Sequence, residues 1–123
     1  MPGESVLVVE DNERNMKLVR DVLQATGYVA LEATTGEEAI ELAAVHRPAL
    51  VLMDVQLPGM TGVEALTRLR GDARTSGIPV LAVTAQAMRG DRERFLEAGF
   101  DGYLSKPLDV LELIATVREH CGD

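Results

Sequence analysis

The chain has 123 residues, enough for one domain with a core of its own and little more. Hydrophobic residues make up 46% of it and charged residues 26%, a mixture typical of globular domains that argues against disordered and fibrous classes. The formal net charge of −8 argues against nucleic acid and anionic membranes as direct partners, because both repel an acidic surface.

The cysteine content and the apolar runs indicate where the protein works. The single cysteine, Cys121, cannot form an internal disulfide, which fits a reducing compartment. The start of the chain lacks a signal-peptide pattern, and no apolar run approaches the ~20 residues needed to cross a bilayer. We therefore expect a single domain over residues 1–123, cytoplasmic, monomeric or weakly dimeric, with a protein or a cation as its partner.

The first strand and helix are marked by clear signals. The β-branched apolar run Ser5–Val9 predicts a strand, and Glu10 and Asp11 follow it directly. Asn12 can cap a helix after them, and Gly27 can end that helix in the left-handed conformation. This order predicts a strand whose exit carries two carboxylates.

The next elements are an edge strand and two helices with capping boxes. Residues 28–33 are mixed in character, which is typical of an edge strand. The sequences Thr35–Glu38 and Thr61–Glu64 each place Glu three residues after Thr, the pattern of a capping box that opens a helix. The first of these helices is predicted to end near His46, and Pro48 prevents its continuation.

Between these two helices lies the most informative stretch of the chain. The nearly unbroken apolar run Ala49–Asp54, bounded by Pro48 and by Pro58 and Gly59, is typical of a strand buried on both faces of a parallel sheet. It ends in a carboxylate, and burial of a lone charge is expensive. We therefore expect Asp54 at the edge of the sheet, facing a metal, a base or water, as the reactive group of the protein.

The last third of the chain predicts two more strands and two more helices. The strands are residues 78–84 and 101–107, and the fourth helix, residues 87–98, carries a weak apolar stripe of Met88, Phe95 and Leu96. Asp109 can cap the last helix. The apolar stripe expected on that helix comprises Val110, Leu111, Ile114 and Val117.

Five strands therefore alternate with five helices. Alternation predicts an α/β fold with a parallel sheet and helices on both faces, and right-handed crossovers leave few topologies. We expect a doubly wound, flavodoxin-like sheet in the order 2-1-3-4-5.

Polar side chains end four of these strands. Because the carboxyl ends of parallel strands lie at one edge, Glu10, Asp11, Asp54, Thr84 and Lys106 are expected to meet beside the crevice between the first and third strands. Three carboxylates repel one another unless cations offset them. Lys106 supplies one positive charge and a divalent ion would supply two more, and oxygen ligands favour Mg²⁺.

Taken jointly, four stretches closely resemble the receiver domains of bacterial two-component response regulators, and the resemblance covers essentially the whole chain. It implies the CheY-like version of the predicted fold. The stretches are Val-Glu10-Asp11-Asn, Leu-Met-Asp54-Val-Gln-Leu-Pro58-Gly59-Met-Thr-Gly62, Val-Thr84-Ala85 and Gly99-Phe-Asp-Gly-Tyr103-Leu-Ser-Lys106-Pro107.

The resemblance implies a phosphoacceptor and a metal site. Asp54 would accept a phosphoryl group from a phosphohistidine on a histidine kinase or phosphotransfer protein. Glu10, Asp11, Asp54 and the backbone carbonyl of Gln56 would hold Mg²⁺. A carboxylate is a competent nucleophile in phosphoryl transfer, where catalysis is mainly positioning and charge neutralisation.

It also implies a switch. Thr84 and Lys106 would bind oxygens of the phosphoryl group, and the Lys106–Pro107 bond would be cis. Thr84 would then be drawn toward the phosphoryl group, Tyr103 would turn inward, and the face made by the fourth helix, fifth strand and fifth helix would change for a downstream protein. A half-buried Tyr103 without any switching role is the alternative.

Several functional alternatives stay open at this point. The sequence near the start of the chain resembles that of single-domain cell-cycle and polarity regulators of the DivK type, and the receiver domains of hybrid kinases share much of that sequence. A Mg²⁺-dependent aspartyl phosphatase would place a second Asp two residues after Asp54, where this chain has Gln56. A flavodoxin-like carrier would need a phosphate loop after the first strand, where carboxylates stand instead. We therefore expect a signalling phosphoacceptor and not an enzyme.

Overall fold

The structure, a computed structural model, describes residues 4–57, 59–85 and 91–121. Strands and helices alternate along these residues. The elements are β1 (Ser5–Val9), α1 (Glu13–Ala25), β2 (Val29–Ala33), α2 (Gly36–His46), β3 (Leu50–Asp54), α3 (Gly62–Gly71), β4 (Val80–Thr84), α4 (Asp91–Ala98), β5 (Gly102–Ser105) and α5 (Val110–Cys121).

The strands form one parallel sheet in the order β2-β1-β3-β4-β5, so the predicted fold class and strand order are confirmed. The central strand β3 is buried along its whole length, as its unbroken apolar run predicts. In the register, Val9 pairs with Met53 and Asp54 pairs with Val83. The exits of β1, β3 and β4 therefore lie side by side at one edge.

The helices cover both faces of the sheet. On one face α1 and α5 pack against β1, β3 and β4, and on the other face α2, α3 and α4 do so. Each face contributes a separate apolar cluster, and burial of these side chains is the main source of stability in such a fold. Among the described residues, none of the helices has the length and hydropathy of a membrane span.

The two predicted capping boxes differ in the structure. At α3 the box is complete: Thr61 accepts from the backbone N–H of Glu64, whose side chain accepts from the backbone N–H of Thr61. At α2, Thr35 accepts from the backbone N–H of Glu38, but the Glu38 carboxylate accepts from the backbone N–H of Thr34 at 2.7 Å. The predicted box at α2 is therefore wrong in its second half, because the carboxylate reaches one residue further back.

The inward face of α5 also differs from the prediction. Asp109 caps the helix as expected, by accepting from the backbone N–H of Glu112. Leu111 is 79% exposed and Val110 is 42% exposed, so both are wrongly placed in the predicted stripe. The buried residues recur every four positions, which is the spacing of one helix face; they are Leu113, Val117 and Cys121.

The fourth helix is described over Asp91–Ala98, and the predicted start at residues 87–90, including Met88, lies outside the described residues. Phe95 is buried as expected. Leu96 is 41% exposed, contrary to the prediction. Adjacent residues of a helix point in different directions, so Phe95 and Leu96 cannot share one narrow face.

Candidate functional site

The predicted polar residues lie together at the carboxyl edge of the sheet. Glu10 follows β1 directly, Asp54 and Thr84 are the last residues of β3 and β4, and Lys106 follows β5 directly. A cleft of about 620 Å³ opens there, lined by Glu10, Asp11, Asp54 and Lys106 among others. The order of strands predicts a crevice at this point, since β1 and β3 are neighbours from which the chain departs in opposite directions.

One lysine is ion-paired with two carboxylates and so joins the ends of three strands. The Nζ atom of Lys106 lies 2.8 Å from Oε1 of Glu10 and 2.9 Å from Oδ2 of Asp54. The Glu10 and Asp54 side chains are 5% and 6% exposed, and that of Lys106 is 17% exposed. Water screens these charges little, so the hydrogen bonds from the ammonium group are strong and hold both carboxylates in position.

The protonation behaviour of the site reflects this burial. Burial raises the pKa of Glu10 above its ordinary value, against the hydrogen bonds that Glu10 accepts from Lys106 and from the Asn12 backbone, and the charge of Asp54 adds to the rise. Burial alone would lower the pKa of Lys106, but its hydrogen bonds to Glu10 and Asp54 outweigh that effect and raise it. Lys106 is therefore charged at neutral pH, and its single charge does not fully offset the buried carboxylates.

The carboxylates are close enough to share a cation. Glu10, Asp11 and Asp54 each offer an oxygen, and these oxygens all lie within 4.8 Å of one another. Asp11 is exposed, so the group is open to solvent on one side. The other Asp54 oxygen, Oδ1, accepts from the backbone N–H of Gln56 at 2.9 Å, which fixes the carboxylate at the start of the following loop.

Thr84 and Tyr103 lie on the adjacent strands β4 and β5. Thr84 is buried, and its carbonyl oxygen accepts from the backbone N–H of Lys106 at 2.8 Å. Tyr103 is half-buried, with its ring centroid 6.2 Å from that of Phe95 on α4. The Lys106–Pro107 peptide bond is cis, the isomer that the resemblance implies.

The lining of the cleft also includes residues outside the set expected from the sequence. Asn15 and Thr61 line it together with the predicted residues, and Asn15 is half-buried there. Both belong to helix starts: Asn15 donates its backbone N–H to Asn12, and Thr61 caps α3. Capping accounts for Thr61, whereas Asn15 takes part only through a backbone N–H that almost any residue would supply, so the local sequence marks neither as part of the lining.

Comparison with known proteins places this chain in a family. The family model described as response regulator receiver domain matches residues 6–118. The chain belongs to the response regulator receiver domain family. It is 48% identical to the polar-differentiation response regulator DivK of Brucella anthropi, and equally to that of Brucella ovis, over 120 residues that cover 98% of this chain and 98% of each relative.

Solved receiver domains have the same fold. The receiver domain of a sensor histidine kinase from Pseudomonas aeruginosa matches with a TM-score of 0.90 and 34% identity, over 98% of this chain and 99% of that chain. A magnesium ion is coordinated in the active-site cleft of that structure. The chemotaxis protein CheY4 of Vibrio cholerae matches with a TM-score of 0.88 and 28% identity, over 95% of this chain and 98% of that chain. The predicted resemblance to receiver domains is therefore confirmed.

The pairing of Lys106 with two buried carboxylates predicts an effect on stability that can be tested. Lys106→Met should lower the free energy of unfolding by about 3 kcal/mol at pH 7, because it leaves two buried carboxylates without their cation. Acidification should restore part of this loss, since protonated carboxyl groups no longer repel each other. Urea unfolding at several pH values measures both effects.

The control is Lys17→Met. Lys17 pairs with Asp21 at 2.7 Å on the surface of α1, where both side chains are more than half exposed. Exposed pairs contribute little, so the loss should be far smaller than for Lys106→Met. Equal losses in the two variants would show that the buried ion pair does not organise the site.

Proposed function

We propose that this receiver domain accepts a phosphoryl group on Asp54 from a phosphohistidine of a sensor histidine kinase or phosphotransfer protein, with Mg²⁺, in the cytoplasm. The observation that carries the proposal is the position of Asp54. It is a buried carboxylate, ion-paired to Lys106, with two further acidic side chains within 4.8 Å. Buried charged groups of this kind cluster at functional sites, which supports a phosphoryl-transfer and metal site at this edge of the sheet.

The transfer needs a nucleophile and neutralisation of charge. An oxygen of Asp54 forms a bond to phosphorus while the bond from phosphorus to the imidazole nitrogen breaks, which leaves an acyl phosphate on the protein and a neutral histidine on the donor after protonation. The transition state spreads negative charge over three phosphoryl oxygens. Lys106 already lies 2.9 Å from Asp54, and the Thr84 hydroxyl ends the neighbouring strand, so these two residues are the proposed ligands of the phosphoryl oxygens.

The donor set fits Mg²⁺. This ion prefers oxygen ligands and usually takes one or two carboxylates with several waters and a phosphate oxygen. Glu10, Asp11 and Asp54 supply carboxylate oxygens, and the proposed fourth protein ligand is the backbone carbonyl of Gln56, in the loop that leaves Asp54. When bound, the ion supplies two positive charges that, with Lys106, balance the three carboxylates.

We further propose that the output is protein binding and that the protein is not a turnover enzyme. Gln56 stands where aspartyl phosphatases carry a second acidic residue, so a general acid or base for exogenous substrates is missing at that position. The phosphoryl group then stays on the protein until water or the donor removes it. During that time a partner protein can bind the phosphorylated form.

Phosphorylation of Asp54 can be tested directly. Incubation with acetyl phosphate and MgCl₂ should add a single phosphoryl group, detected by intact mass spectrometry, and EDTA should prevent it. Asp54→Asn should abolish the addition, while Asp72→Asn, at a partly exposed aspartate paired with Arg74, should leave it unchanged. The modification should be stable in acid and labile in base, as expected of an acyl phosphate. Labelling that persisted in Asp54→Asn would move the phosphosite to another residue.

The proposed signal travels from Thr84 to Tyr103. The strands β4 and β5 pair with Thr84 opposite Ser105 and Ala82 opposite Tyr103, so the two side chains belong to adjacent strands close to the site. Tyr103 packs beside Phe95 of α4, and an inward turn of its ring would change that contact. We propose that the surface made by α4, β5 and α5 binds the downstream protein, and that this rearrangement regulates its binding.

Beryllofluoride, which mimics the phosphoryl group, tests this coupling. In the presence of Mg²⁺ it should shift the backbone amide signals of β5 and of the adjoining parts of α4 and α5, beyond the residues that line the cleft. Tyr103→Ala should remove most of these distant shifts and keep those of residues around Asp54. The exposed surface residue Val45 provides the control, because Val45→Ala should leave both sets unchanged. Distant shifts of wild-type size in Tyr103→Ala would contradict the proposed role of the tyrosine.

A further inference from the structure

The start of α2 contains a glycine that packs tightly against another side chain, although its backbone conformation does not call for glycine. Gly36 is buried, and its φ lies outside the left-handed region. A Cβ atom at this position would lie 2.8 Å from Sδ of Met60, and 3.2 Å from both Cβ and Cγ of the same side chain. Real side chains do not approach so closely, so Gly36 leaves a notch that Met60 fills.

Met60 anchors the loop between β3 and α3 in the core. It is 5% exposed and belongs to the apolar cluster beneath α2, α3 and α4, whereas Val55 and Leu57 of the same loop are only partly buried. Gly59, just before it, has a φ of +76°, the left-handed conformation that glycine adopts at no cost. The chain turns at Gly59 and delivers the Met60 side chain into the notch.

The other side of this loop is held against the exit of β3. The backbone N–H of Gly62 donates to the carbonyl of Val55 at 3.0 Å. A Cβ atom on Gly62 would lie 2.7 Å from Cα of Val55 and 2.8 Å from the carbonyl oxygen of Asp54. The segment that contains Gln56 is therefore fixed between a backbone contact at Gly62 and a side-chain contact at Gly36.

We propose that Gly36 is a positioning residue for the cation site: it leaves the notch that seats Met60, and the seated Met60 holds the loop so that the Gln56 carbonyl faces the carboxylates. This inference rests on the Mg²⁺ site of the proposed function. Mg²⁺ demands near-ideal octahedral geometry at about 2.0–2.1 Å, so a displacement of a few tenths of an ångström in one carbonyl weakens binding. Gly36 itself touches neither the ion nor the substrate.

The test is a titration with MgCl₂, followed by the amide signals of the cleft in ¹H–¹⁵N spectra. Gly36→Ala should weaken Mg²⁺ binding about tenfold, the lower end of the range seen when a residue that orients a metal ligand is changed. Gly71→Ala is the matched control. It makes the same substitution in α3 at a position where a Cβ atom would meet nothing within 4 Å, so it should bind Mg²⁺ as the wild type does.

A double-mutant cycle shows whether Gly36 acts through Met60. Met60→Ala should itself weaken Mg²⁺ binding, because the loop loses its anchor. In that background Gly36→Ala should change the affinity by less than about twofold, since the side chain it would collide with is gone. A tenfold loss that persisted in the Met60→Ala background would overturn the proposed route.

The remaining outcomes separate this inference from a structural role and from the proposed function. If Gly36→Ala lowered the melting temperature and left Mg²⁺ affinity unchanged, Gly36 would serve packing alone and the inference would be wrong. If Gly36→Ala did not fold, Met60→Ala with wild-type Mg²⁺ affinity would overturn it equally. If the wild-type protein bound no Mg²⁺, the proposed function would fail first, and the inference with it.

Discussion

The ammonium group of Lys106 bonds to Glu10 and Asp54 at the same time, and the site depends on this shared contact. The three residues come from the exits of β5, β1 and β3, so one cation links three strands of the sheet at its carboxyl edge. Two buried carboxylates at such a distance would otherwise repel each other strongly. Lys106 offsets only part of this repulsion, and in the proposed function a divalent cation would offset the rest and Asp54 would act as the nucleophile.

The remaining structure holds this contact in place and connects it to the surface. On one side, the loop after Asp54 lies in close contact with Gly62 and, through Met60, with Gly36, where an added Cβ atom would require a neighbouring group to shift. On the other side, β4 and β5 run from the site to Tyr103, whose ring lies beside Phe95 on α4. In the proposed function, a local change of charge at Asp54 therefore acts on two neighbouring regions, which are the loop proposed to bind the metal and the surface formed by α4, β5 and α5.

Much of this could be predicted from the sequence, for physical reasons. Alternating apolar runs and helix caps predict a parallel sheet, and parallel strands bring residues as distant as Glu10 and Lys106 to one edge. Periodicity failed where several apolar residues compete for one face: in α5, Leu113 is buried and Leu111 is exposed, although both fit an apolar helix. The close contact between Gly36 and Met60 could not be predicted, because nothing in the local sequence shows that Met60, which is distant along the chain, occupies the space beside Gly36.

The most direct test of the account is a crystal structure of the protein grown with MnCl₂, in which Mn²⁺ replaces Mg²⁺ at an oxygen-ligand site and is located by its anomalous signal. We expect one strong peak in the cleft, coordinated by carboxylates of Glu10, Asp11 or Asp54 and by the carbonyl of Gln56, with Lys106 still bonded to Asp54. A cleft without the peak, or a Lys106 side chain directed away from both carboxylates, would contradict the account.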